Sequence, residues 1–274
     1  MVGYRGKQAS EGLSMIFSSR QFVRKVYFSL ICKLRGFHSD IIFYWLIYSK
    51  SQPLICNQKS AMVFSPHQDD ETLGCGGMIA LKRKHRVPVK VVFLTNEQSF
   101  YIGNLQNKVD ELIQVRKQEA IAALNILGVA PPEIHFFEQP DGTLQNLSSE
   151  QQQCVVEQLA RLLQLHKPEE VYVPHRKDRH ADHEETYKLV RTAIAQSRIQ
   201  VELLQYPIWL FWQAPLFFSL KLQELTGAYR LSIHAVQDQK RQAFATYCSQ
   251  HYLNRGFLRH FLGAYEIFFK AELK

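Results

Sequence analysis

The sequence lacks a CxxC pair, an HExxH motif, a GxGxxG loop, an internal repeat and any low-complexity tract. Its five cysteines, Cys32, Cys56, Cys75, Cys154 and Cys248, are odd in number and scattered. That argues against a disulfide framework and for reduced thiols in a cytoplasm. His183-Glu184 does not open a zincin helix, because position 187 is Tyr. Gly74-Cys75-Gly76-Gly77 lacks dinucleotide-loop spacing and reads instead as close helix–sheet packing. The longest uninterrupted apolar run, Ile41–Tyr48, falls far short of the roughly 20 residues a spanning helix needs. The chain opens polar and no small-residue cleavage site follows the apolar stretch, a poor fit to a signal peptide. A hydrophobic share of 46% and a charged share of 21% exclude a disordered chain and allow a sizeable core over 274 residues.

Acidic residues are scarce at the start. Residues 1–50 hold eight Lys/Arg against Glu11 and Asp40, a net +6 within a whole-chain charge of +8. The rest is near neutral, so the basic pI of 9.2 signals a local contact rather than a nucleic-acid-binding body. Residues 1–58 are predicted to form a basic, apolar helical extension, with one or two amphipathic helices between Ile16 and Tyr48. These either pack on the following domain, residues 59–274, or lie on an anionic membrane surface. The expected location is cytoplasmic, with peripheral membrane contact through residues 1–50 as an option.

From residue 61 onward, strand-like and helix-like segments alternate. Strands are predicted at Ala61–Pro66, Pro88–Thr95, Glu133–Phe137, Glu170–Pro174 and Val201–Tyr206. Helices are predicted at Thr72–Arg86, Leu105–Leu127, Glu150–His166 and His183–Ser197, with Lys240–His251 and Arg259–Lys270 also helical. This alternation implies an α/β fold: a doubly wound, Rossmann-like, mostly parallel sheet with helices on both faces. Sites in such sheets lie at the C-terminal ends of strands.

Two segments occupy such ends. Ser65-Pro66-His67-Gln68-Asp69-Asp70-Glu71 follows the first strand, and His175-Arg176-Lys177-Asp178-Arg179-His180-Ala181-Asp182-His183 follows the fourth. Each carries a pair of candidate ligands three apart, His67 with Asp70 and His180 with His183, a spacing that shares one face of a helical turn. A catalytic zinc takes three His or carboxylate ligands and leaves one position for water. A nearby carboxylate can then take the water's proton, and a histidine can stabilise the oxyanion or protonate the leaving amine. Either loop alone could be a solvated helix start, since Asp69, Asp70 and Glu71 suit the helix dipole. Two such loops on two strand ends point to a metal site.

These residues resemble a family. PHQDDETLGCGG followed by HADH is similar to the two motifs of the PIG-L/LmbE-like N-acetylglucosaminyl deacetylases, and the resemblance covers about residues 60–250. It implies His67, Asp70 and His183 as zinc ligands, Asp69 as general base, His180 as the histidine assisting the tetrahedral intermediate, and Asp182 as the carboxylate orienting His180. Arg116-x-x-Glu119-x-x-x-Ala123-x-x-x-Leu127-Gly128 resembles the family helix whose Arg contacts substrate. Gln139-Pro140-Asp141-Gly142 resembles the loop whose Asp contacts sugar hydroxyls, and Ala243–Gln250 resembles a C-terminal helix ending in Ser-Gln. Gln68 stands where the family has Pro, and Thr95-Asn96-Glu97 lacks the usual Gly. Tyr206-Pro207-Ile208-Trp209 could stack on a sugar or pack in the core.

The implied activity is zinc-dependent deacetylation of a small-molecule or lipid-linked amino sugar, with Fe²⁺ also suited to two His and one carboxylate. The competing readings are a metal amidase on a non-sugar N-acyl metabolite and a non-catalytic sugar- or lipid-binding module. No nucleic-acid partner is expected.

Overall fold

A computed structural model describes residues 29–31, 33–34, 36–96, 106–211, 227–250 and 255–273. Eight strands form one sheet: β1 (Gln52–Leu54), β2 (Ala61–Ser65), β3 (Val89–Thr95), β4 (Ile134–Gln139), β5 (Glu170–Pro174), β6 (Glu202–Tyr206), β7 (Ala228–Ser232) and β8 (Tyr265–Ala271). Their spatial order is β1-β7-β8-β6-β5-β2-β3-β4. All pairs are parallel except those of β8, which runs antiparallel to both β6 and β7. The helices are α1 (residues 36–45, with 29–31 and 33–34 helical before it), α2 (Asp70–Lys84), α3 (Gln106–Ile126), α4 (Ser149–His166), α5 (Ala181–Ser197), α6 (Gln237–Phe244) and α7 (Arg255–Phe261).

Strand periodicity makes the sheet two-faced. Ala61 and Val63 join the cluster under α2 and α3, while Met62 and Phe64 join the cluster under α4 and α5. Alternate side chains of a strand point to opposite faces, so a continuous apolar run such as AMVF is buried on both. Helix starts are fixed locally as well. Ser148 Oγ accepts from the Gln151 amide at 3.2 Å, and the Gln151 side chain accepts from the Ser148 amide at 2.9 Å, a reciprocal cap for α4. The glycines of α2 serve packing: a Cβ on Gly74 would sit 2.3 Å from Tyr206, and one on Gly77 would sit 2.4 Å from Ile233. The expectation of close helix–sheet contact holds at Gly74, while Gly76 meets Lys240 of α6 and Gly77 meets Ile233 just past β7.

The doubly wound, mostly parallel sheet matches the sequence reading, and the five predicted strands lie within two residues of those found. The far edge differs. Arg259–Lys270, expected to be one helix, is α7 ending at Phe261 and then β8 from Tyr265. The segment YEIFFKA is rich in aromatic and β-branched residues, and pairing with β6 and β7 on both sides overrides its helical spacing. Lys240–His251 is likewise shorter as a helix: α6 stops at Phe244 and a 3₁₀ turn covers Cys248–Gln250, with His251 outside the described residues. β1 lies N-terminal to the boundary expected at residue 58, yet it pairs with β7 in the same sheet. From α1 and the π-helical turn Leu46–Lys50, Ile42, Leu46 and Ile47 pack on Leu210, Phe211, Ala228, Ile267 and Phe269. The part of the extension before residue 29 lies outside the described residues. Among the described residues, no helix is long and apolar enough to cross a membrane, and Cys56, Cys75, Cys154 and Cys248 are free thiols.

Candidate metal centre

The chain leaves β2 to build β3 and β4 on one side, and later returns through β5 to build β6 on the other. The C-terminal ends of β2 and β5 thus flank the topological switch point, where a crevice forms in open α/β sheets. Both His/Asp loops begin there.

Three donor atoms meet in a triangle. His67 Nδ1 lies 3.0 Å from Asp70 Oδ2, His183 Nε2 lies 3.1 Å from the same oxygen, and the two imidazole nitrogens are 3.2 Å apart. A tetrahedral ion with ligands at about 2.0–2.1 Å has ligand–ligand edges of about 3.3 Å. Two ring nitrogens facing each other beside one carboxylate oxygen suit a shared cation, because two N–H groups at that distance would repel. The residues present therefore fit a divalent metal. His67 and His183 also form a His group with His180, and His67 with Asp141 and Asp182 forms a second possible set through its other ring nitrogen.

Electrostatics in the site follow from burial and from these contacts. Burial opposes charge on His67, yet hydrogen bonds to Asp141, Asp182 and Asp70 hold its pKa well above the ordinary value. His183 is raised to about 9, because Asp70 and Asp178 outweigh burial. Asp70 is held well below the carboxylate range by His183 and His67 despite its burial. Burial, with the charges of Asp70 and Glu71, pushes Asp69 up, and Arg116 and His67 pull the other way. His180 is lowered to about 4 by burial and by the charges of His183 and His67.

Asp69 precedes α2 with φ of 141°, a left-handed backbone that a non-glycine residue holds only under constraint. Gln68, where the family has Pro, donates to the Thr95 carbonyl at 2.9 Å and so ties the loop to β3. His180 stacks edge-on to His67 at 4.9 Å, and its Nδ1 is buried without a hydrogen-bond partner. Asp182 departs from its expected role. It accepts from the Gly142 amide at 2.6 Å and the Leu144 amide at 3.2 Å and lies 3.3 Å from His67 Nε2, with no bond to His180. Its carboxylate is directed across to the 141–144 loop rather than back along its own turn, so it orients that loop and His67.

Asp141 sits 3.0 Å from His67 Nε2, within the site. Arg116 is buried although its neighbour Val115 is exposed, and its charge acts on Asp69. The Ser-Gln helix end explains why α3 is held there: Ser249 donates to Glu119 through its amide at 2.9 Å and its hydroxyl at 2.6 Å. Tyr206 is core, with its hydroxyl on the Phe64 carbonyl at 2.8 Å, and Trp209 stacks on Phe257. Cys75 is a buried core residue. Glu97 lies outside the described residues.

Sequence reasoning missed Asp178. Fully buried, it accepts from His183 Nδ1 at 2.7 Å and from the amides of Ile208, Trp209 and Leu210. That bond fixes His183 as the tautomer whose Nε2 is free to bind a cation. Glu71, raised to about 7 by burial, accepts from the Tyr247 hydroxyl and the Asp69 amide and props the strained loop from behind.

Fold and site together define a doubly wound α/β domain with a buried His/Asp cluster at the switch point whose donors could hold a cation. Residues 62–194 match the PIG-L model, described as GlcNAc-PI de-N-acetylase, and constitute a PIG-L-family domain. Similar folds occur in solved structures at low identity. The 4-carboxy-2-hydroxymuconate hydratase GalB from Pseudomonas putida is 22% identical with a TM-score of 0.57, over 74% of this chain and 82% of that one. N,N'-diacetylchitobiose deacetylase from Pyrococcus horikoshii is 20% identical with a TM-score of 0.54, over 73% and 72%. The zinc-inhibited form of teicoplanin deacetylase Orf2 is 20% identical with a TM-score of 0.59, over 77% and 97%.

Proposed function

We propose that this chain is a metal-dependent hydrolase that removes the acetyl group from an N-acetylglucosamine-type amino sugar conjugate, releasing acetate and a free amine. The observation that carries the metal half is the triangle of His67 Nδ1, Asp70 Oδ2 and His183 Nε2. The amino-sugar half is supported by the family match over residues 62–194 and by the deacetylases of similar fold.

His67, Asp70 and His183 would hold zinc, or Fe²⁺, which the same donors suit. Such an ion lowers the pKa of water and polarises an acyl oxygen. Asp69, beside the triangle and not part of it, takes the proton of the attacking water; burial and the charges of Asp70 and Glu71 raise its pKa and so its basicity, against the weaker opposing pull of His67 and Arg116. His180, kept neutral, offers an N–H to the oxygen that gains charge as the carbonyl becomes tetrahedral. Asp182 holds the 141–144 loop in place, and Arg116 and Asp141 line the approach for sugar hydroxyls. A lipid-linked sugar fits the basic, apolar N-terminal segment.

Metal analysis of the purified chain, combined with acetate release from N-acetylhexosamine conjugates and from non-sugar N-acyl amides, tests the reading. Stoichiometric metal and acetate release confined to the sugars support it. Release only from the non-sugar amides makes the chain a different amidase. Bound metal or sugar with no acetate from any substrate leaves a binding module or, as the hydratase of similar fold allows, another reaction.

A further inference from the structure

We propose that the outward face of α1 is a docking surface for an anionic lipid membrane. Leu30, Leu34, Phe37, Ile41, Tyr44 and Tyr48 are each more than half exposed. They follow one another at steps of four, three, four, three and four, which places all six on one stripe along the helix. The opposite side is already used: Gly36, Ser39, Ile42, Leu46 and Ile47 are buried, the last three against β7, β8 and residues 210–211. Both faces of this helix are therefore apolar, and among the described residues only one of them has a partner. A contiguous exposed apolar patch of this length marks an interaction site.

Charge decides the occupant. Residues 1–50 carry a net +6, and Lys33 and Lys50 are exposed on the helical segment itself. The single acid of that segment, Asp40, is engaged by Arg259 and by His260, so it does not offset those cations at the surface. An apolar stripe with aromatic members, bordered by cations, is the pattern of a helix lying in the headgroup region of an anionic bilayer. The four-three spacing would also serve a coiled coil with a second copy. Two segments of +6 would repel one another, and no acidic row accompanies the stripe to compensate.

Sedimentation of the full chain with lipid vesicles tests this. The native chain is expected to pellet with vesicles containing phosphatidylglycerol and far less with pure phosphatidylcholine. Raising the salt weakens the anionic binding by screening. Leu34→Glu/Phe37→Glu/Ile41→Glu is expected to lower vesicle affinity at least about tenfold. A milder Ile41→Asn/Tyr44→Asn pair covers the case in which the triple variant does not fold, with an unchanged melting temperature as the control. No binding of the native chain to anionic vesicles overturns the proposal, as does equal binding by a folded variant. A self-association that the variants abolish, in a chain that ignores vesicles, assigns the face to a second copy and overturns it too.

Discussion

Two buried charge clusters touch helix α2, and they are built on different terms. Against the middle of the helix, Lys240 of α6 and Glu266 of β8 form an ion pair at 2.7 Å. Lys240 also donates to the Leu73 carbonyl, and Glu266 accepts from the amides of Gly77 and Met78. Gly76 provides the room, since a Cβ there would meet Lys240 at 3.1 Å. Opposite charges meet at short range, and the carboxylate is further held by two backbone donors. At the start of the same helix the opposite holds. Like-charged Asp69 and Asp70 adjoin, two imidazole nitrogens face each other, His180 Nδ1 has no partner and Asp69 is strained. Burial alone does not mark a functional charge. Incomplete satisfaction does, because an unmet donor or acceptor in a buried site is costly unless a ligand completes it.

Substitution separates the two clusters, with the largest effect at the site. Asp69→Asn is expected to lower turnover by about 10²–10⁴-fold, the usual contribution of a general base, while metal content and melting temperature stay near native. Loss of metal in that variant would show that Asp69 belongs to the ligand set instead. Lys240→Met reverses the pattern. It strands Glu266 as a buried unpaired charge, so stability falls by about 3–5 kcal/mol in denaturant titration, and the turnover of the folded fraction is retained. Adding Glu266→Leu restores only part of that, since the Gly77 and Met78 amides then lose their acceptor.

Asp178 lies between these extremes, a satisfied carboxylate that serves an unsatisfied site. Asp178→Asn keeps the size but places an amide against the backbone amides of Ile208, Trp209 and Leu210 and the ring of His183. The expected outcome is a metal affinity weaker by about 10–100-fold, measured by chelator competition. Saturating metal should recover most of the activity. An unchanged affinity would mean that His183 is oriented by packing alone.

Legibility in the sequence divides along the same line. The central strands were readable because β2, β3, β5 and β6 are short, mostly apolar segments set between helical stretches. The candidate loops were readable because each follows a strand and pairs two donors three apart, His67 with Asp70 and His180 with His183, while the choice of His67, Asp70 and His183 among them came from the family resemblance. β8 was not, since its neighbours in the sheet, β6 and β7, are set by the tertiary fold and not by its own spacing. The part played by Asp178 was hidden because its partners at 208–210 lie about thirty residues further on. The partners of Asp182 were not legible either: the family resemblance implied His180, whereas the fold presents it with the amides of Gly142 and Leu144, about forty residues away.

An exposed ion pair completes the comparison as its weakest member. Glu202, at the start of β6, is paired with Lys270 and with Lys59, the latter at 3.0 Å. The hydrogen bond from Lys270 pulls its pKa below the ordinary 4.5; burial opposes this, and Lys59 adds to the lowering. A carboxylate whose pKa is lower folded than unfolded adds stability above its unfolded pKa, and that gain is lost as pH falls through the folded value. Because the group is largely solvated, the loss for Glu202→Gln at neutral pH should stay within the roughly 0.2–1 kcal/mol of surface pairs. Melting temperatures of native and variant should converge as the solution is acidified below about pH 4 and as salt is raised. A gap that persisted in acid would mean that Glu202 acts through packing at the sheet edge and not through its charge.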